Sequence, residues 1–315
     1  MLDYTDRHFR VLMRQVSKHA LLYTEMVVAQ ALQHGNRQNL LNFDPLEKPL
    51  ALQLGGDDPQ LLAAAARWAE DWGYDEVNLN LGCPSAKVQQ GRFGACLMAD
   101  PERVAACVEA MTLACGLPIT VKQRIGIDHR DSYQELLQFV DVVAAAGAQR
   151  FSIHARKAWL EGLDPKQNRS VPPLRYDLVQ ALKQDRPSLT IELNGGLENL
   201  EECQQQLQWA DGVMVGRAVY HHPLQWQRVD RDLFHDHQSP LPLASTVLRG
   251  MLPHTERWCA AGGRLWAIAR HAVHLVEGVS GARHWRRALA EAATPREAGP
   301  EVFIQAAQQL EARGL

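Results

Sequence analysis

The chain has 315 residues, 46% of them hydrophobic and 22% charged, with a formal net charge of −3. That composition excludes a disordered or collagen-like chain, and no run approaches the roughly 20 apolar residues of a membrane span. The charged start, with Asp3, Asp6, Arg7 and Arg10, is unlike a signal peptide, so a cytoplasmic protein is expected.

A helix-like segment, Arg7–Val16, comes first. From Leu21 to about Val219, apolar or β-branched runs alternate with segments of helical period, the pattern of a parallel sheet built from βα units. Strands are predicted at Leu21–Met26, Leu50–Leu54, Glu76–Leu81, Pro118–Lys122, Arg150–His154, Leu189–Leu193 and Gly212–Val215. Asp58-Pro59 reads as an N-cap followed by proline at the first helical position. Leu61, Ala65, Trp68, Ala69 and Trp72 share one face before Gly73 ends that helix. Asp100-Pro101 opens a second such helix, to Gly116, and Ser132 a third, to Gly147. Lys157–Pro173, with Trp159, Lys166, Asn168 and Arg169, is a longer loop of the kind that carries function. Beyond His221 the strand signals cease. Pro223, Pro240 and Pro242 mark a linker, and helices are predicted at Ala244–Ala261, Arg264–Val276, His284–Ala292 and Val302–Arg313.

The expected fold is a TIM (β/α)8 barrel whose first strand lies upstream of Met1, followed by a small helical domain. Eight strands close a barrel, whereas seven leave two edges unpaired. The predicted division is a catalytic barrel over 1–222, a linker over 223–243 and a helical unit over 244–315.

In such barrels, functional groups sit at the C-terminal ends of the strands. Polar residues gather at those points: Gln53, then Asn80 and Cys83, then Lys122 and Arg124, then His154 and Arg156. Each alone reads as a satisfied hydrogen bond, but together they favour a ligand. The last two strands end in Asn194-Gly195-Gly196 and Gly216-Arg217. Glycines there let backbone N–H groups approach a phosphate, and arginine can bind it bidentately. Flavin mononucleotide (FMN) fits the set, with Lys122 beside the pyrimidine edge of its ring and Gln53 at the amide edge.

The six cysteines include no C-x-x-C pair and no spacing suited to zinc, so neither a metal nor a disulfide framework is expected. A thiol at the ordinary cysteine pKa, about 8.5, keeps its proton at neutral pH and can act as a general acid. Cys83, just past a strand end between Gly82 and Pro84, suits that role, whereas Cys96 reads as core.

These residues form a recognisable set. Leu79-Asn80-Leu81-Gly82-Cys83-Pro84-Ser85 is followed by Gly91-Arg92-Phe93-Gly94-Ala95. Around them stand Ala51-Leu52-Gln53-Leu54-Gly55, Val121-Lys122-Gln123-Arg124, Ile153-His154-Ala155-Arg156 and Asn194-Gly195-Gly196. The set resembles the tRNA-dihydrouridine synthases, essentially end to end. His154-Ala155-Arg156-Lys157-Ala158-Trp159-Leu160 and Gly281-Ala282-Arg283-His284-Trp285-Arg286-Arg287 resemble the A subfamily. The resemblance implies an FMN enzyme that takes electrons from NADPH and reduces uridines 20 and 20a of the tRNA D-loop to 5,6-dihydrouridine. It makes Cys83 the catalytic acid and places Gln53, Lys122, His154, Asn194, Gly195, Gly196, Gly216 and Arg217 on FMN. Met1 is what remains of the family's flavin-touching first-strand end. Asn80 would lie against the base, with Lys166, Arg169, Arg283 and Arg286 on tRNA.

From Arg249 to Arg287 there are seven Arg against two Glu, with no Lys or Asp, and Arg283, Arg286 and Arg287 fall at helical spacing with Trp285 among them, which supports a surface for phosphate contacts and base stacking. A monomer is expected, since nothing in the sequence calls for an oligomer. Two other readings compete: an FMN reductase for a free pyrimidine, similar to the dihydroorotate dehydrogenases, and an RNA-binding protein that has lost catalysis.

Overall fold

Strict alternation of polar and apolar residues sets the architecture. Residues 76–81 read Glu-Val-Asn-Leu-Asn-Leu, and successive side chains of a strand point to opposite faces. The computed structural model describes residues 1–315. It contains strands β1 (Leu22–Tyr23), β2 (Val27–Val28), β3 (Leu50–Gly55), β4 (Glu76–Leu81), β5 (Ile119–Arg124), β6 (Arg150–His154), β7 (Thr190–Asn194) and β8 (Gly212–Met214). All pair in parallel in one sheet, in the order β1-β3-β4-β5-β6-β7-β8, and β2 also pairs with β3.

Val77, Leu79 and Leu81 of β4, Val121 of β5, Phe151 and Ile153 of β6, and Ile191 and Leu193 of β7 are fully buried. They belong to one core with Leu62, Ala65, Val108, Met111, Phe139 and Val179 of the helices Pro59–Trp72, Pro101–Ala114, Tyr133–Ala145 and Tyr176–Asp185. The other face of the same strands is polar. Register puts Gln53, Asn78, Thr120 and Arg150 in one row and Asn80, Lys122, Ser152 and Glu192 in a second. Bonds across this face skip strands: Lys122 of β5 reaches Asn194 of β7 at 3.0 Å, and Tyr23 of β1 reaches Glu76 of β4 at 2.9 Å. Only a curled sheet brings such residues together. The polar face is thus the inside of a barrel.

The predicted caps form. Asp58 accepts the N–H groups of Gln60 and Leu61, and Gly73 ends that helix at φ +85°. Ser132 and Glu135 make a capping box.

Three expectations need correction. The strand read at Leu21–Met26 forms only at Leu22–Tyr23, with a second short strand beyond the predicted range at Val27–Val28, and between them the Thr24 side chain, rather than a backbone carbonyl, accepts the Gln53 N–H, at 3.0 Å. The helix read at Ala244–Ala261 is two helices, Ala244–Gly250 and Leu252–Ala260. Pro253 lacks the N–H that a continuous helix needs there. Trp285 is not a surface ring among arginines: it is 2% exposed and donates Nε1–H to the Ala306 carbonyl at 3.3 Å.

No pairing joins β8 to β1, and Met1 lies on this open side with its Sδ at Gly216. The helices Trp266–Ala272, Ala282–Ala293 and Glu301–Glu311 complete the C-terminal bundle. Phe9, Val11, Leu12 and Val16 of the helix Arg7–Val16 share its core. No helix is long and apolar enough to cross a membrane.

Candidate active site

At the mouth of the barrel, Asn80 uses both ends of its amide. Nδ2 donates to Gln53 Oε1 at 2.8 Å, while Oδ1 accepts the N–H groups of Gly82 at 3.1 Å and Cys83 at 3.0 Å. The turn that presents Cys83 is therefore held by the strand before it. A second tie comes from downstream, where Ala95 donates its N–H to the Cys83 carbonyl at 2.9 Å. This joins the two glycine-containing motifs into one unit. The half-buried Cys83 Sγ is 3.7 Å from Ser85 Oγ and within electrostatic reach of Lys122 and Arg124.

Arg124 meets carbonyl oxygens alone: Gly82 at 2.9 Å through Nε, and Lys157 and Asn168 at 3.0 Å through one terminal nitrogen, which also lies 3.5 Å from the Arg156 carbonyl. Burial, ahead of its neighbours' charges, brings its pKa down to about 10. It thus fastens the cysteine turn to the 157–173 loop. That loop is organised by Asn168, fully buried, whose amide bonds the backbone of Trp159 in both directions.

Lys122 donates to Asn194 Oδ1 at 3.0 Å, and Asn194 Nδ2 donates to the Met214 carbonyl at 2.7 Å. No carboxylate pairs with Lys122, and burial, then Arg124, brings its pKa down to about 8. His154 lies against Gly195, where a Cβ would meet its ring at 3.1 Å. Burial and the cations Arg124, Lys122, Arg156 and Arg217 hold its pKa well below the usual histidine range, so the ring is neutral. Its Nδ1 accepts the Arg156 N–H at 3.2 Å, which leaves the proton on Nε2.

Gly195 and Gly196 both have positive φ, +107° and +77°, open to glycine and strained for other residues. Arg156 bonds the Pro172 carbonyl, and neither it nor the exposed Arg217 has a carboxylate partner. Two glycine turns beside two arginines without counter-ions make a site for an anion of phosphate size.

Of the residues expected on RNA, Asn80 is in the mouth, Lys166 is exposed and Arg169 is half-buried in the adjoining loop, within electrostatic reach of Arg124. Arg283 is exposed and Arg286 half-exposed on the helix Ala282–Ala293. Four of the seven arginines between 249 and 287 are paired: Arg249 with Glu311, Arg257 with Asp44, Arg270 with Asp6 and Arg287 with Glu291. The unpaired positive surface narrows to Arg264, Arg283 and Arg286.

Reading the strand ends alone misses the polar residues deeper in the barrel: Glu76, Asn78, Thr120, Arg150, Ser152 and Glu192. The signal that reveals them is period two. Every second residue of β4 to β7 is polar, which a strand buried by apolar residues on both faces does not show.

Comparison with known proteins identifies the family. The family described as Dihydrouridine synthase (Dus) matches residues 1–311. A tRNA-dihydrouridine(20/20a) synthase of Synechocystis sp. is 55% identical over 315 residues, which cover 100% of this chain and 94% of that one. Enzymes of the same name from Shewanella oneidensis and Pseudomonas aeruginosa are 52% and 51% identical, over 99% of this chain and 92% and 94% of theirs. Among solved structures, morphinone reductase superposes with a TM-score of 0.51 at 12% identity, over 72% of this chain and 81% of that one, a likeness of barrel fold. With the family matched over almost its whole length, the chain belongs to the dihydrouridine synthases.

Proposed function

We propose that this chain reduces uridine to 5,6-dihydrouridine at positions 20 and 20a of the tRNA D-loop, with FMN as cofactor, NADPH as reductant and Cys83 as the acid that protonates C5. Family membership supports the reaction, and relatives at 51–55% identity named for tRNA positions 20 and 20a support the substrate. The observation that carries the role of Cys83 is its double tie, to Asn80 before it and Ala95 after it. A thiol held from both sides at the mouth of a polar barrel is placed for a reaction.

The residues present fit FMN. The unpaired Arg217, Arg156 and the turns at Gly195, Gly196 and Gly216 would take its phosphate. Gln53, Lys122, His154, Asn194 and Met1 would surround its ring. When bound, the flavin supplies hydride to C6 of the base. The electron pair then conjugates with the C4 carbonyl, and C5 needs a proton from the opposite face. Cys83 donates it and regains one from solvent. Asn80 sits where it can meet an edge of the base. A stacked uracil cannot be flanked on both faces, so the base leaves its stack to enter the barrel mouth.

The proposed division is a catalytic barrel over 1–222, a linker over 223–243 and a tRNA-binding unit over 244–315, acting as a monomer in the cytoplasm. Arg283, Arg286, Lys166 and Arg169 contact RNA phosphates in this reading.

The test is incubation with unmodified tRNA and NADPH, with dihydrouridine mapped by position, beside Cys83→Ala. The variant should stay yellow and oxidise NADPH, yet lose about a hundredfold or more in uridine reduction. A normal rate in Cys83→Ala would overturn the acid assignment. Reduction of free uridine with tRNA left unmodified would point to a small-molecule reductase.

A further inference from the structure

We infer that Glu76, at the floor of the barrel, acts through Thr120, Asn78, Gln53 and Asn80 as a positioning residue for the turn that carries Cys83, a proposal that rests on the reading of Cys83 as the acid. The chain of bonds is continuous. Thr120 Oγ1 donates to Glu76 Oε1 at 2.5 Å, Asn78 Nδ2 donates to Thr120 Oγ1 at 2.9 Å, and Gln53 Nε2 donates to Asn78 Oδ1 at 2.9 Å. Asn80 Nδ2 donates to Gln53 Oε1 at 2.8 Å, and Asn80 Oδ1 ends the chain on the N–H groups of Gly82 and Cys83.

Donor and acceptor chemistry fixes its direction from both ends. The backbone N–H groups at the mouth can only donate, so Asn80 must face them with its oxygen. Each amide then has one permitted orientation, down to the Thr120 hydroxyl, which must donate to Glu76. A carboxylate can only accept, and Arg150 bonds the second oxygen of Glu76. Both requirements agree, so no amide in the chain can flip without leaving two like groups face to face.

Burial makes the bonds costly to break. Glu76, Asn78, Thr120 and Gln53 are each less than 9% exposed. A buried amide without a partner loses far more than a surface one, and a fully satisfied network is rigid. Packing alone would be served better by apolar residues, which the barrel places on the opposite face of the same strands.

The experiment uses Thr120→Val, which keeps the shape and removes the hydroxyl, with Thr120→Ser as the restoring variant. Tyr23 and Arg150 still bond Glu76 in both, so its charge stays paired and the barrel retains its fold. Alkylation of Cys83 by iodoacetamide is followed by peptide mapping, with Cys96 as the internal reference. Flavin reduction by NADPH and dihydrouridine formation are measured on the same preparations.

In Thr120→Val, Cys83 alkylation should change by about threefold or more while Cys96 stays constant. Dihydrouridine formation should fall about tenfold, as expected for a misplaced proton donor, and by clearly more than flavin reduction does. Thr120→Ser should return each value to that of the parent. Unchanged Cys83 alkylation, a parallel change at Cys96, or a serine variant as impaired as the valine would overturn the proposal. The alkylation readout does not depend on Cys83 being the acid, so failure of the relay and failure of the acid assignment give different results.

Discussion

Gly94 lies against the carbonyl oxygen of Cys83: with φ at +76°, a Cβ on residue 94 would come within 2.6 Å of that oxygen and 2.5 Å of Val88 Cγ1. The neighbouring Ala95 N–H bonds the same oxygen, so the approach cannot relax without giving up the tie. Gly94→Ala should therefore cost about 1–3 kcal/mol of stability, from strain at positive φ, and lower uridine reduction as well. Urea unfolding and dihydrouridine mapping check the two effects. Parent-like values in both would mean that the tie to Cys83 is dispensable.

Acid should loosen the packing of the first helix on the C-terminal bundle. His8 Nδ1 and His254 Nε2 are 2.9 Å apart, and burial pushes both pKa values down, that of His8 to about 3. The folded protein keeps His8 neutral, whereas the unfolded chain takes up a proton near the ordinary value of about 6.5. Stability is therefore fully present above that pH and is lost as pH falls below it, by up to about 1.4 kcal/mol per pH unit for one histidine. His8→Gln, neutral at every pH, should show a shallower loss between pH 7 and pH 5 in urea unfolding. An unchanged slope would contradict the assignment.

Charge reversal separates the free arginines from the paired ones. Arg283→Glu and Arg286→Glu should weaken tRNA binding and lower the magnitude of the salt slope by about one each. Arg287→Glu should do less, because Glu291 already holds Arg287 at 2.6 Å. Filter binding of tRNA across a salt series measures this. Equal losses at all three positions would argue for diffuse charge rather than a defined contact.

Much of the barrel is legible in the sequence because its signals are local. Asp58-Pro59 and Gly73 bound a helix by cap chemistry that needs no tertiary partner, and the structure has that helix at Pro59–Trp72. Among the strand-end residues, parallel register sets Asn80 beside Lys122 and His154 beside Asn194, and the curl of the sheet brings Lys122 to Asn194. What depends on distant partners is not legible in this way. Trp285 looks like part of a basic surface until the helix Glu301–Glu311 is packed over it. The arginine run looks unpaired until Asp6, Asp44 and Glu311 arrive from elsewhere in the chain. Arg124, read as a ligand group, turns out to hold two loops together, because the carbonyls it meets lie up to 44 residues away.

The shared core of the helix Arg7–Val16 and the bundle after Ala244 sets a timetable for synthesis. At about 5–20 residues per second, the apolar side of this helix emerges ten seconds or more before the segments that cover it. The barrel strands and their helices can assemble in that interval, since their core draws on neighbouring units. The helix Arg7–Val16 thus completes its packing only after the barrel units are made, and until then its Phe9, Leu12 and Val16 form a sticky surface for chaperones or neighbouring nascent chains.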